Sequence, residues 1–258
     1  MVTGRQRRRL RAVLAVAALL AAGAVRAETP EELFDQGNSA YGEGRYADAA
    51  EAYEGVLRYR ILDPRVEYNL GNARAKLGQL GQAILHYERA RRMDPTDPEI
   101  RANLEFVRAQ CFDRVEPPQL MAAVRWTRAI QDRLGPDRQA WAFLLLVWIV
   151  VGLLAFKLSR PGRWNASAAW IVTALIVLAL LVAASAHSTY DRLEGQRIGV
   201  VLEGAVEVLA GPGENNPTLF TIHEGLTVEI RSDRDDWVQV SLPNGLNGWV
   251  PVGSLGEV

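Results

Sequence analysis

The sequence predicts a multidomain membrane protein: an all-α repeat superhelix, two transmembrane helices and a C-terminal all-β small barrel. Three observations carry this. The apolar residues cluster in runs at 12–25, 140–156 and 166–186. The stretch 28–112 matches itself at an offset of 34 residues. After His187 the pattern becomes short and alternating, with glycine and asparagine turns between apolar runs.

The chain opens "MVTGRQRRRLR", five arginines ahead of a 14-residue apolar stretch, and "VRA" follows before "ETPEELF". A basic start, a short apolar run and small residues at the end predict a signal peptide over 1–27, cut after Ala27. Retention as an N-terminal anchor is the alternative. Either way, the following segment is exported.

The runs at 140–156 and 166–186 hold 17 and 21 residues and no Asp, Glu, Lys or Arg. Two such runs in tandem, with Trp141, Trp148, Trp164 and Trp170 in or near their ends, predict membrane spans over 140–158 and 166–186. With no ionisable group at depth they read as an anchor rather than an ion path. Between them, 159–165 forms a short loop, and 157–165 carries Lys157, Arg160 and Arg163 with no acid. Short loops rich in Lys and Arg stay cytoplasmic. Both soluble pieces, 28–139 and 188–258, are then expected on the extracytoplasmic side of a bacterial inner membrane.

The 34-residue offset aligns Gly37 with Gly71, Asn38 with Asn72, Gly44 with Gly78, Ala49 with Ala83 and Tyr53 with Tyr87. This period and residue pattern resembles the tetratricopeptide repeat. The copies are 30–63 and 64–97. Leu70-Gly71, Ala83, Tyr87, Ala90 and Pro95 stand at family positions; the first copy keeps Leu33, Gly37, Ala49 and Tyr53, and its Pro64 comes three residues late. Because a repeat cannot bury its face alone, a closing helix is expected. Asp97-Pro98 opens one, with Ile100, Leu104 and Val107 as its apolar stripe. The resemblance implies a concave groove built on the first helix of each pair. By register Phe34, Asn38, Tyr41, Arg65, Tyr68, Asn69, Asn72, Lys76, Asn103 and Phe106 line it. Asparagine amides there would pair with an extended peptide, and the aromatics would hold its apolar side chains or pack between helices. Asn38 and Asn69 match the asparagines of the family's carboxylate clamp, whereas Phe34 and Glu99 replace two of its basic residues.

The segment 113–139 is expected to be a linker. Pro117-Pro118 breaks the helix, and Leu120, Val124, Ile130 and Leu134 among arginines predict either an amphipathic helix on the membrane surface or a solvated one.

In 188–258, the "GPG" turn, the "EG" before a β-rich run, Trp237 in "DWVQV" and the "NGLNGWVP" ending resemble the bacterial SH3-like barrel. Trp237 is expected in its core, and Trp249 either closes the barrel or lines its ligand face. Four arginines against eleven acids give this domain a net charge of −7, which disfavours nucleic acid.

Cys111 is the sole cysteine, which excludes an intramolecular disulfide and predicts a packing residue or an intermolecular bridge. No phosphate loop, metal-ligand cluster or nucleophile–base pairing appears, so no enzyme activity, metal or cofactor is expected. The full order of modules resembles the Bat (aerotolerance operon) family. That resemblance implies a non-enzymatic membrane scaffold whose partners are von Willebrand factor A-domain membrane proteins and, indirectly, a MoxR-type AAA+ ATPase. The alternative function is cell-wall binding or sensing, with the SH3-like domain on peptidoglycan peptides.

Overall fold

The computed structural model describes residues 28–113, 121–160 and 166–258. The expected signal peptide, residues 114–120 of the linker with Pro117-Pro118, and residues 161–165 of the basic loop lie outside the described residues.

Five helices build the N-terminal unit: α1 (Pro30–Gly42), α2 (Tyr46–Arg58), α3 (Pro64–Lys76), α4 (Leu80–Met93) and α5 (Pro98–Arg108). The odd-numbered helices start alike. Thr29, Asp63 and Asp97, spaced 34 residues apart, each accept a backbone N–H of the first turn, and Pro30, Pro64 and Pro98 follow them. Such caps satisfy donors that the helix leaves open, and proline at the first position has no N–H to lose. Pro64 is therefore the opening proline of α3, equivalent to Pro30 and Pro98, and not a displaced terminal residue of the first repeat. Within each pair the helices close on a glycine. A Cβ on Gly37 would lie 2.5 Å from the Tyr53 ring, and one on Gly71 2.8 Å from the Tyr87 ring. Ala40, Ala49, Ala50, Tyr53, Val56, Val66, Leu70 and Ala73 form the core between the repeats.

Two long helices follow, α6 (Ala122–Ser159) and α7 (Ala166–Glu194), packed side by side. Both are long and apolar enough to cross a membrane. Their large apolar side chains, including Leu145, Trp148, Trp170 and Leu181, face outward. Gly135, at φ 67° and ψ 165°, kinks α6 just before Pro136, separating a polar-and-apolar N-terminal part from the apolar remainder. Near the kink, Ser185 Oγ donates to Gln139 Oε1 (2.7 Å), and Gln139 Nε2 donates to Thr189 Oγ1 (3.3 Å). Gln131 Nε2 donates to Ser185 Oγ (3.1 Å), which completes a polar clasp between the helices at that end.

The C-terminal unit is one antiparallel sheet of seven strands: β1 (Ile198–Val201), β2 (Ala205–Leu209), β3 (Thr218–His223), β4 (Thr227–Arg234), β5 (Trp237–Ser241), β6 (Asn247–Pro251) and β7 (Leu255–Glu257). Their order is β3-β2-β6-β5-β4-β1-β7. Alternation places Val206, Val208, Val228, Ile230, Val238, Val240 and Val250 in its core. Since Val238 and Val240 point inward, Trp237 and Gln239 must point outward. Trp237 is half-buried on the outer face, where the sequence placed it in the core.

The two soluble units share an interior. Val200 of β1 belongs to the same buried cluster as Ala83, Ile84, Leu85, Leu104, Val107 and Cys111. Helix α4 explains this. Residues 83–88 are all buried, so the helix is covered on every side. The equivalent α2 buries one face only, and Glu51, exposed there, is replaced 34 residues later by buried Leu85. Polar contacts border the seam, among them Arg108 Nη2 donating to Thr227 Oγ1 (3.3 Å). Arg89 Nη2 donates to the Glu257 carbonyl (2.6 Å), and Arg92 donates to the carbonyls of Val258 (3.0 Å) and Gln196 (2.6 Å). Gly81 N donates to Glu224 Oε1 (2.8 Å). The Asp113 carboxylate accepts from the His223 backbone N–H (2.6 Å) and lies 3.0 Å from its Nδ1. Cys111 is buried and free, and burial pushes its thiol above the ordinary range.

Candidate functional site

The face of the repeats opposite this seam carries a ladder of amides on α1, α3 and α5, joined by phenols of α2, α3 and α4. Tyr53 Oη donates to Asn38 Oδ1 (2.9 Å), and one repeat on, Tyr87 Oη donates to Asn72 Oδ1 (2.7 Å). Asn69 Nδ2 also donates to Asn38 Oδ1 (3.2 Å), and Asn103 Nδ2 to Asn72 Oδ1 (3.0 Å) and the Tyr68 hydroxyl (2.9 Å). Every one of the first four bonds recurs at the 34-residue period. The amide oxygens of Asn38 and Asn72 thus hold the ladder together, and the Asn69 side chain gives one hydrogen to the first of them.

Burial raises all four phenols above their ordinary value, Tyr53 to about 12 and Tyr87 further; Tyr41 and Tyr68 follow in the same direction. They are therefore neutral hydrogen-bond donors across the physiological range.

Two hollows open on this ladder. One of about 80 Å³ is bounded by Asn38, Tyr41, Tyr53, Asn69 and Asn72. The other, about 340 Å³, is bounded by Phe34, Asn38, Arg65, Tyr68 and Asn69 together with Pro64, Asp94, Asp97, Glu99 and Ile100. Phe34 and Tyr68 are half-buried against Tyr53 (5.9 Å between ring centroids) and Tyr87 (5.9 Å), so both pack as well as line. Arg65 pairs with Asp63 at 2.6 Å, which holds that carboxyl below its usual range, and stands 5.8 Å over the Phe34 ring. Asn103 joins the ladder without bounding either hollow. Lys76 lies exposed at the end of α3, outside both, and Phe106 projects from α5 with 69% of its surface exposed.

Three carboxylates, Asp94, Asp97 and Glu99, face one arginine in the larger hollow. The sequence points to the ring of amides and aromatics and to Glu99 at a clamp position, but not to Asp94 and Asp97 beside it. Asp97 signals the start of a helix in the sequence, and Asp94 precedes the turn before it.

On the C-terminal unit Trp249 lies half-buried on the outer face, between Gln239 and Leu209 in register, with Arg234 5.8 Å over its ring. A hollow of about 650 Å³ opens beside Trp237, not Trp249, and Glu203, Glu207, Glu214, Asp236 and Pro251 bound it. Among the described residues no group of three or more His, Cys, Asp and Glu side chains has the arrangement of a metal site.

No curated protein matches the chain. The crystal structure of MamA protein is similar at 16% identity over 63% of this chain and 92% of that one, with a TM-score of 0.32, too low to bear on fold or function. Residues 34–98 match the family model of the tetratricopeptide repeat, and residues 203–256 that of the bacterial SH3 domain, two modules of protein–protein interaction.

Proposed function

We propose that this protein is a non-enzymatic membrane-anchored adaptor, whose repeat groove captures an extended segment of a partner protein. The observation that carries this is the open ladder face: the C-terminal unit docks on the opposite side and leaves Asn69, Phe34, Tyr68 and Phe106 accessible. Basic residues are replaced by Phe34 and Glu99 where the family's clamp would hold a terminal carboxylate. With Asp94 and Asp97 beside them, the groove suits an internal segment carrying a Lys or Arg next to an apolar side chain.

The helices α6 and α7 are the spans, and the amphipathic part of α6, with Trp126, Ile130 and Leu134 exposed, lies along the membrane surface. Docking of the two soluble units requires them to share one side. The basic loop supports placing that side in the periplasm, with signal peptide 1–27 directing export. A tag in 157–165 is then protected from protease in intact spheroplasts while both units are digested. The module order supports a BatE-like role in an envelope-integrity or stress-tolerance complex with von Willebrand factor A-domain proteins, and indirectly a MoxR-type ATPase.

Co-purification from membranes tests the groove. Asn69→Ala with Phe106→Ala removes exposed groove groups without touching the amide oxygens that hold the ladder. Partner recovery falls at least several-fold on this account; unchanged recovery refutes it. A second reading, contact of the C-terminal unit with peptidoglycan peptides, is favoured by the hollow beside Trp237, whose acids suit the amines of such peptides. Retention of the detergent-solubilised chain on purified sacculi, lost in Trp237→Ala, would support it.

A further inference from the structure

A hollow of about 380 Å³ lies where all parts of the molecule meet, and neither soluble module accounts for it. Arg91 of α4, Arg101 of α5, Arg128 of α6 and Arg192 of α7 converge on it, with Asp132 as the one acid among its bounding residues. Arg91 is partly neutralised by Glu88 at 2.8 Å, and Arg192 donates to Gln131 Oε1 at 2.8 Å with Asp132 at 3.5 Å. Arg192 Nε is buried without a hydrogen-bond partner. Among the described residues neither Arg101 nor Arg128 forms an ion pair; the single hydrogen bond of Arg101, to the Thr96 carbonyl, is long at 3.4 Å. Arg101 and Arg128 thus add positive charge that neither Glu88 nor Asp132 offsets, and with the unpartnered Nε of Arg192 they make the hollow suited to an anion.

The position says which anion. Arg192 follows the apolar run ending at Ala186 by six residues, about 9 Å along a helix. The headgroup layer of one leaflet extends roughly 5–7 Å beyond the hydrocarbon, so the Arg192 side chain reaches back into it. Arg128 shares its helix segment with exposed Trp126 and Ile130, which would hold it at the same depth. We infer that this hollow binds the phosphate of an anionic phospholipid headgroup, its guanidinium forks gripping the phosphate oxygens and so fixing the soluble units against the membrane. The inference rests on the reading of α6 and α7 as spans.

The test uses the full chain, purified in a neutral detergent, and reads its melting temperature during titration with phosphatidylglycerol, phosphatidylcholine or inorganic phosphate. Phosphatidylglycerol raises the temperature by on the order of 2–4 °C, while phosphatidylcholine and inorganic phosphate do not. Arg128 is exposed and forms no ion pair among the described residues, so Arg128→Gln leaves the fold intact; it weakens the apparent lipid affinity about tenfold, and Arg101→Gln does likewise. An equal shift with phosphatidylcholine, or an undiminished one in both variants, overturns the assignment. An equal shift with inorganic phosphate makes the hollow a soluble-anion site and also overturns it. Carbonate washing of the same membranes separates the two readings. A chain released by carbonate removes the spans and the lipid site with them, whereas a retained chain without lipid preference removes the site alone.

Discussion

At the scale of single residues, the repeat unit is held by tyrosine hydroxyls that meet asparagine oxygens. Burial, followed by the neighbouring Tyr41, moves the Tyr53 phenol from 10.0 to about 12. A folded value above the unfolded one means that the protonated phenol is favoured by the fold. Its stabilising contribution is whole below pH 10 and disappears as the pH rises toward about 12, with Tyr87 acting in the same direction. An alkaline titration followed by circular dichroism is expected to show the repeats losing stability in that window. Tyr53→Phe should cost about 1 kcal/mol at neutral pH by leaving Asn38 with one donor fewer, and should flatten part of the alkaline loss. The residues of this ladder were legible in the sequence because Asn38, Asn72, Tyr53 and Tyr87 repeat at one period. That Asn38 and Asn72 are tied up by these phenols and by the amides of Asn69 and Asn103 was not, since partners fifteen and 31 residues apart depend on how the helices close on one another.

At the scale of elements, three helices are started by a cap and proline at the same spacing, and the last of them seals the stack. Asp97 accepts from Glu99 N at 2.7 Å and Ile100 N at 3.3 Å, and α5 buries Ile100, Leu104 and Val107. Asp97→Ala is expected to lower stability by about 1 kcal/mol, with Asp97→Ser restoring most of it, as measured by chemical denaturation. Periodicity made α5 and the apolar helices readable. The kink at Gly135 was not anticipated, although Gly135-Pro136 is the dipeptide that carries it. Trp237 illustrates the opposite difficulty: aromatic character suggested a core position, and the alternation through Val238 and Val240 put it outside.

At the scale of the whole molecule, the repeat and β units share a buried cluster, because α4 is apolar on the face that its counterpart α2 leaves charged. The substitution of Leu85 for Glu51 at equivalent positions, and the adjacent Val200-Val201 in an otherwise alternating domain, were the signals available in the sequence. Neither identifies its partner without the fold. Arg89→Ala with Arg92→Ala removes three carbonyl anchors along the seam, and hydrogen exchange in β1 and β7 is expected to rise while that in α1 and α2 stays unchanged. Unaltered exchange in the strands would mean that the apolar contact alone holds the units. One measurement bears most directly on the adaptor reading: a photo-crosslinking residue placed at Asn69 in living cells, compared with one at Glu51 on the far side of the repeats. The account predicts a protein adduct from position 69, absent from position 51, whose attached peptide contains a basic residue beside an apolar one. Adducts of equal yield from both positions, or none from position 69, would contradict it.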